Sequence, residues 1–180
     1  PESFFKRRIM ELCGLLVLSA VALLMAAFLT YNASDASLNS ANSGSTANIL
    51  GFPGAVVSDL LIQMIGLTNG MLVVVLSFWG VRLLVHKSLN KVIFRLLLLP
   101  IGLVVLSGAV AQFSFQDFWK ISSGVGGITG SIIFDQIIPI VAPYHISPDA
   151  LILILGSFGI TILFWCMGAG FQDWLIIFFS

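Results

Sequence analysis

Four apolar runs of about twenty residues leave this chain few ways to fold. They cover about 9–29, 67–85, 92–111 and 148–168, and the first holds one charge, Glu11. Glycine, proline and polar residues punctuate the runs. In hydrocarbon a segment must satisfy its own backbone hydrogen bonds, so such runs become helices. Composition points the same way. The chain is 58% hydrophobic and only 9% charged, where a soluble domain carries about 25% charge. The expected fold is an all-α integral membrane protein, one membrane domain over residues 1–180. The first run is too long for a cleaved signal peptide, and Tyr31-Asn32 follows it rather than a small-residue cleavage site.

Basic residues set the expected orientation. Lys6, Arg7 and Arg8 precede the first run. Arg82, Lys87, Lys91 and Arg95 cluster around the short link 86–91 between the second and third. Only Lys120 lies on the other face, with Asp35, Asp59, Asp117, Asp135 and Asp149. The positive-inside rule makes the basic face cytoplasmic, with both termini inside. Trp79, Trp119, Trp165 and Trp174 fall near span ends, as an aromatic belt predicts.

The outer loops, 30–66 and 112–147, are longer than a hairpin needs. Each contains a segment of the form G-x-x-G-x-x-x-x-D: GFPGAVVSD from Gly51 and GITGSIIFD from Gly127. Aligning Gly51, Gly54 and Asp59 with Gly127, Gly130 and Asp135 gives an offset of 76 residues. At that offset the second span lands on the fourth. The chain therefore reads as two parallel repeats of span, outer interfacial helix, span. In the first outer helix Ser58, Asp59 and Gln63 fall near one helical side of an apolar stretch too short to span. That side is expected to stay wet, with the helix lying at the interface or dipping in as a re-entrant element.

Little in these residues speaks for catalysis. Net charge is zero, which gives no electrostatic footprint for nucleic acid. Cys13 and Cys166 sit in apolar runs and read as buried small hydrophobes. His86 and His145 have no metal-ligand company. The glycines at 124, 126, 127 and 130 miss the spacing and the lysine of a nucleotide loop. No catalytic residue, cofactor or metal site is expected. The glycines of the repeated motif are expected to fix tight turns, and Gly66, Gly70, Gly156 and Gly159 to let helices approach closely.

YNASDASLN after the first run, followed by NILGFPGAVVSDLLIQMIG and a span ending WGVR, resembles the N-terminal four-span domain of the bacterial DNA translocase family of FtsK and SpoIIIE. That family's Tyr-x-x-x-Asp-Pro-Ser pattern falls on Tyr31, Asp35 and Ser37, with Ala36 in place of the proline. Its G-x-x-G-Ala segment and downstream acid fall on Gly51, Gly54, Ala55 and Asp59. The resemblance covers nearly the whole chain. It implies an anchor in the bacterial inner membrane at the division septum. That anchor would contact lipids and other division proteins, and would form homo-oligomers through its motor. It also implies that ATP hydrolysis and DNA handling belong to a longer parent, because no G-x-x-x-x-G-K-[ST] occurs in these residues. The ending QDWLIIFFS and the start PESFFKRR, without an initiator methionine, look like a piece cut from such a parent. A competing expectation rests on the duplicated aspartates: a small ion or solute transporter or channel subunit.

Overall fold

The computed structural model describes residues 4–38, 46–87, 89–113 and 123–168. Among these residues the chain forms helices and turns, with no strand. The helices are α1 (Phe4–Leu29), α2 (Gly51–Ile65), α3 (Asn69–Leu84), α4 (Val92–Val110), α5 (Gly127–Val141) and α6 (Pro148–Met167). Single turns of 3₁₀ helix, Gly66–Thr68 and Ala142–Tyr144, follow α2 and α5. The expectations placed on Asp117, Trp119, Lys120 and Trp174 lie outside the described residues.

By length and composition, five segments are able to cross a membrane: Phe4–Leu29, Gly51–Leu84, Val92–Val110, Gly127–Tyr144 and Pro148–Met167. Helix pairing decides which of them do. At the start of α1, Glu11 meets His86 just beyond the end of α3, with His86 Nε2 and Glu11 Oε1 2.8 Å apart. Gly14 faces Gly80 and Leu84 of α3. The two helices are therefore antiparallel. Trp79 Nε1, near the end of α3, donates to the carbonyl of Cys166, near the end of α6, at 2.8 Å. Cys166 Sγ approaches the carbonyl of Arg95, in the first turn of α4, at 3.7 Å. Thus α4 and α6 are antiparallel too. The N-terminus, the α3–α4 link and the end of α6 share one side, called here the link side. Both α2 and α5 begin and end on the opposite, loop side. Four helices cross, and α2 and α5 are half-elements of their repeats.

The repeat is visible in backbone detail. Both α2 and α5 have 15 residues. Both begin on a glycine in the left-handed region, Gly51 at φ 66 and Gly127 at φ 67. A residue with a Cβ is strained there, so the glycines mark where each loop turns into its helix. Pro139 lies inside α5, in its last turn, and Pro143 sits in the 3₁₀ turn that follows. The start of α6 has a local cause: Ser147 Oγ accepts the Ala150 N–H at 3.2 Å, with Pro148 in the first turn.

Lipid is as apolar as leucine, so burying leucine between membrane helices gains little from the hydrophobic effect. Close packing and hydrogen bonds carry the association. One core joins α3, α4 and α6 through Val75, Trp79, Leu99, Leu103, Leu163 and Cys166. A second, toward the loop side, joins α4, α5 and α6 through Ala109, Phe134, Leu151 and Leu155. Glycines admit the closest contacts, though not always the expected ones. Gly159 lies against Leu106, where a Cβ would stand 2.8 Å from its backbone nitrogen. Gly14 and Gly80 join α1 to α3. Gly70 has open space beside it, and a Cβ on Gly156 would make ordinary contact with Ala109. These two glycines are not needed for approach.

Two aromatic and sulfur expectations are corrected. Trp79 is not a belt residue: it is buried and fastens α3 to α6 through its indole N–H. Trp165 is exposed, its ring edge-on to Phe94 with centroids 5.6 Å apart. Cys166 is fully buried, whereas Cys13 is exposed on the outer surface of α1, where lipid accepts a thiol as readily as the core does.

Candidate functional site

Polar groups gather in two places on the loop side. The first ties the loop after α1 onto α2. Asp35, only 6% exposed, accepts the N–H of Ala47 through Oδ1 at 2.8 Å and that of Asn48 through Oδ2 at 2.9 Å. Asn48 in turn donates through Nδ2 to the carbonyl of Ala27 at 2.9 Å. Its Oδ1 accepts the Leu50 N–H at 3.1 Å. Thr30 Oγ1 accepts the Ile49 N–H at 3.2 Å. The end of α1 and the approach to α2 are therefore stitched together around one carboxylate and one amide. Gly54 is buried because the Asn48 side chain lies against it and would overlap a Cβ.

Asp59 belongs to this same cluster. Its Oδ1 accepts the Tyr31 hydroxyl at 3.0 Å and the Gln63 amide at 2.8 Å. Asp59 is 8% exposed and Ser58 is 0% exposed, while Phe52, Val57, Leu60 and Met64 face outward. The expected wet side is thus turned inward, and the apolar side is the exterior. A helix lying in hydrocarbon inverts the soluble pattern, because its backbone neighbours, not water, must satisfy its polar groups. The polar side of α2 thus packs against the protein and its apolar side is turned outward.

Tyr31 has its phenol pushed up to about 12. Burial is the largest cause, followed by the hydrogen bond and charge of Asp59. A phenol whose folded value is raised stabilises the fold below its ordinary value near 10. That contribution is lost as pH rises through about 10 to 12. Replacing Asp59 by asparagine should lower the Tyr31 value without bringing it back to 10, since burial remains. The chain has two tyrosines, so tyrosinate absorbance followed against pH in a Tyr144→Phe background reports Tyr31 alone. An unchanged titration after Asp59→Asn would contradict the contact.

The second place is the crossing of the two repeats. The end of α2 abuts the start of α5. Leu67 N–H donates to the Val125 carbonyl at 2.8 Å, and Thr129 Oγ1 donates to the Met64 carbonyl at 2.7 Å. Ser107 Oγ of α4 lies 3.2 Å from Thr129 Oγ1. Glycines make the approach possible: Gly66 against Val125, Gly127 against Met64, and Gly126 and Gly130 against the carbonyl of Ser107.

The remaining expected residues fall as follows. Ser37 is half-buried beside Asp35 in the first loop. Asp135 is exposed on α5, so the two aspartates of the repeat occupy unlike environments. Lys6, Arg7, Arg8, Lys87 and Lys91 are exposed, and Arg82 and Arg95 half-buried, all toward the link side. Arg95 packs against Gly168 at the end of α6. Sequence reasoning missed Asn48, Thr30, Ser107 and Thr129. Asn48 is one of several asparagines in a Ser/Asn-rich loop, and only its position in space distinguishes it. Among the described residues no group of three or more His, Cys, Asp or Glu could hold a metal ion. The polar atoms lock backbone in place.

Comparison with known proteins gives this architecture a family. No solved structure matches the chain. The DNA translocase FtsK of Agrobacterium fabrum is 31% identical over 131 residues, 73% of this chain and 15% of that protein. That of Bradyrhizobium diazoefficiens is 35% identical over 127 residues, 71% of this chain and again 15% of the relative. That of Azospirillum brasilense is 28% identical over 176 residues, 96% of this chain and 28% of the relative. The chain thus spans about a seventh of the first two relatives' length. The family model for the 4TM region of DNA translocase FtsK/SpoIIIE matches residues 6–173, nearly the whole chain: the chain belongs to this family.

Proposed function

We propose that this chain is the inner-membrane anchor of an ATP-driven DNA translocase that acts at the division septum. The observation that carries the reading is the family match over residues 6–173, joined to a fold whose polar groups hold structure. The basic link side is the cytoplasmic side. A motor in a longer parent would then hang beneath the membrane, next to DNA. DNA would be engaged only by that motor, which would also bring copies of the anchor together. The outer loops and the exposed helix faces would meet lipids and division-site membrane proteins. The transporter alternative drew on two equivalent carboxylates. Asp59 is buried and hydrogen-bonded while Asp135 is exposed, which favours the anchor.

The test uses the full-length protein in dividing cells. Exchanging residues 1–180 for an unrelated four-span domain should keep the motor on the membrane yet lose it from the septum. Septal enrichment that survives the exchange would overturn the reading. Orientation has its own check. A thiol introduced by Ser45→Cys should react with an impermeant reagent added outside, and one introduced by Ser88→Cys should not. Both positions lie outside the described residues. The opposite labelling pattern would reverse the assignment of sides.

A further inference from the structure

We propose that the groove between the start of α1 and the end of α3 binds an anionic phospholipid, with the headgroup phosphate on Arg8 and an acyl chain along Leu12, Leu15 and Leu84. The site asks nothing of a septum or a motor. It needs only that α1 and α3 cross a bilayer.

The groove follows from how the two helices meet. Gly14 lies against the backbone of Gly80 and Leu84, which brings α1 and α3 together. Beside that contact lies a groove of about 500 Å³, lined by Arg8, Glu11, Leu12, Leu15 and Leu84. Its four α1 residues are spaced by three, one and three positions, so they form one stripe down the helix. At 1.5 Å per residue the stripe runs about 10 Å, from charge at Arg8 to hydrocarbon at Leu15. A phospholipid presents its groups in the same order, headgroup first and acyl chain below. Leu12 and Leu15 are 61% and 58% exposed, so the apolar part of the stripe faces outward.

Charge chooses the headgroup. Residues 4–11 and 82–87 hold the cations Lys6, Arg7, Arg8, Arg82 and Lys87 against one acid, Glu11. Both oxygens of Glu11 are engaged within the protein: Oε2 accepts from Arg8, and Oε1 lies 2.8 Å from His86 Nε2. The ammonium of a zwitterionic headgroup therefore finds its natural partner taken. Arg8 is placed differently. Glu11 occupies one donor at Nη1 out of the five a guanidinium carries, and the side chain is 59% exposed. The guanidinium carbon also lies 5.1 Å from the centroid of the Phe4 ring. Glu11 and Phe4 thus hold the planar group at the mouth of the groove while leaving it donors, and such a fork matches phosphate oxygens. Basic residues at a membrane surface attract anionic lipid in general. The groove adds a bed for the chain, which makes a site of that attraction.

Photo-labelling of the full-length protein in phosphatidylcholine vesicles tests this. One arm contains phosphatidylglycerol with a photo-reactive acyl chain, the other phosphatidylcholine with the same chain. Phosphatidylglycerol adducts should map to Leu12, Leu15 and Leu84, about tenfold above those at Leu153, an exposed position on α6. Phosphatidylcholine should label both places alike. Arg8→Gln should lower groove labelling by phosphatidylglycerol about tenfold, and Arg8→Lys should fall between, having the charge without the fork. Leu15→Trp leaves the charges and fills the groove, so it should lower labelling at Leu12 and Leu84 by both lipids. Excess glycerol phosphate should not displace the adduct, because the chain contributes to binding. Equal labelling of the groove by the two lipids, labelling indifferent to Arg8→Gln or to Leu15→Trp, labelling no stronger than at Leu153, or displacement by glycerol phosphate would each overturn the proposal.

Discussion

Gly66→Ala should damage the domain strongly, and Gly66→Val more still. Gly66 ends α2 at φ 58 and ψ −135, a conformation open in practice only to glycine. A Cβ there would also overlap the carbonyl of Val125, the acceptor for Leu67 N–H. Backbone strain of about 1–3 kcal/mol and overpacking of about 1–3 kcal/mol fall on the same atom. With the hydrogen bond lost as well, the total is roughly 4 kcal/mol. For a chain of this size that lowers the unfolding midpoint by about 10 °C. Thermal unfolding of the purified domain in detergent measures it. Gly70→Ala is the control. Nothing lies within 4 Å of its added Cβ, and alanine suits a helix better than glycine by about 1 kcal/mol. Equal loss in the two variants would mean the crossing of the repeats is not where the fold is fastened.

Much of this was readable without coordinates, and the reason is physical. A bilayer fixes the length of a spanning helix, so the apolar runs map onto α1, α3, α4 and α6. The offset between the two glycine motifs placed α2 and α5, down to the left-handed glycine that opens each. What did not follow from the sequence was which side of α2 faces inward. The polar side reads as wet under soluble rules, and only the three-dimensional neighbours of Asp59 reverse it. Nor did the repeat reveal its own asymmetry. The two aspartates are equivalent in sequence, but Tyr31 covers one alone. Trp79 likewise reads as a belt residue until Cys166, 87 positions away, supplies its acceptor. In each case the missing information is a contact between residues distant in sequence.

Asp35→Ala should be the second damaging change, and a local one. Both carboxylate oxygens accept backbone N–H groups, from Ala47 and Asn48, in a pocket where Asp35 is 6% exposed. Hydrogen bonds to a charged acceptor contribute about 1.5–3 kcal/mol each. Alanine removes both and leaves two donors facing the chain. Asp35→Asn keeps one acceptor oxygen and should fall between alanine and the parent. The damage should then spread to Asn48, whose amide bridges back to Ala27 at the end of α1. Freed from Asp35, this amide has less reason to stay over Gly54. Hydrogen exchange discriminates the outcomes. Ala47 and Asn48 N–H groups should lose protection roughly a hundredfold in Asp35→Ala, while helices α4 and α6, whose buried cores are built without Asp35, Ala47 or Asn48, keep theirs. Protection that falls equally in α4 and α6 would show Asp35 supporting the whole bundle. Unchanged protection at Ala47 and Asn48 would show that the carboxylate does not hold the loop. Asn48→Ala separates the two layers of the clamp. It should loosen the loop from α1 while leaving the Ala47 N–H on Asp35, because that bond needs only backbone and carboxylate.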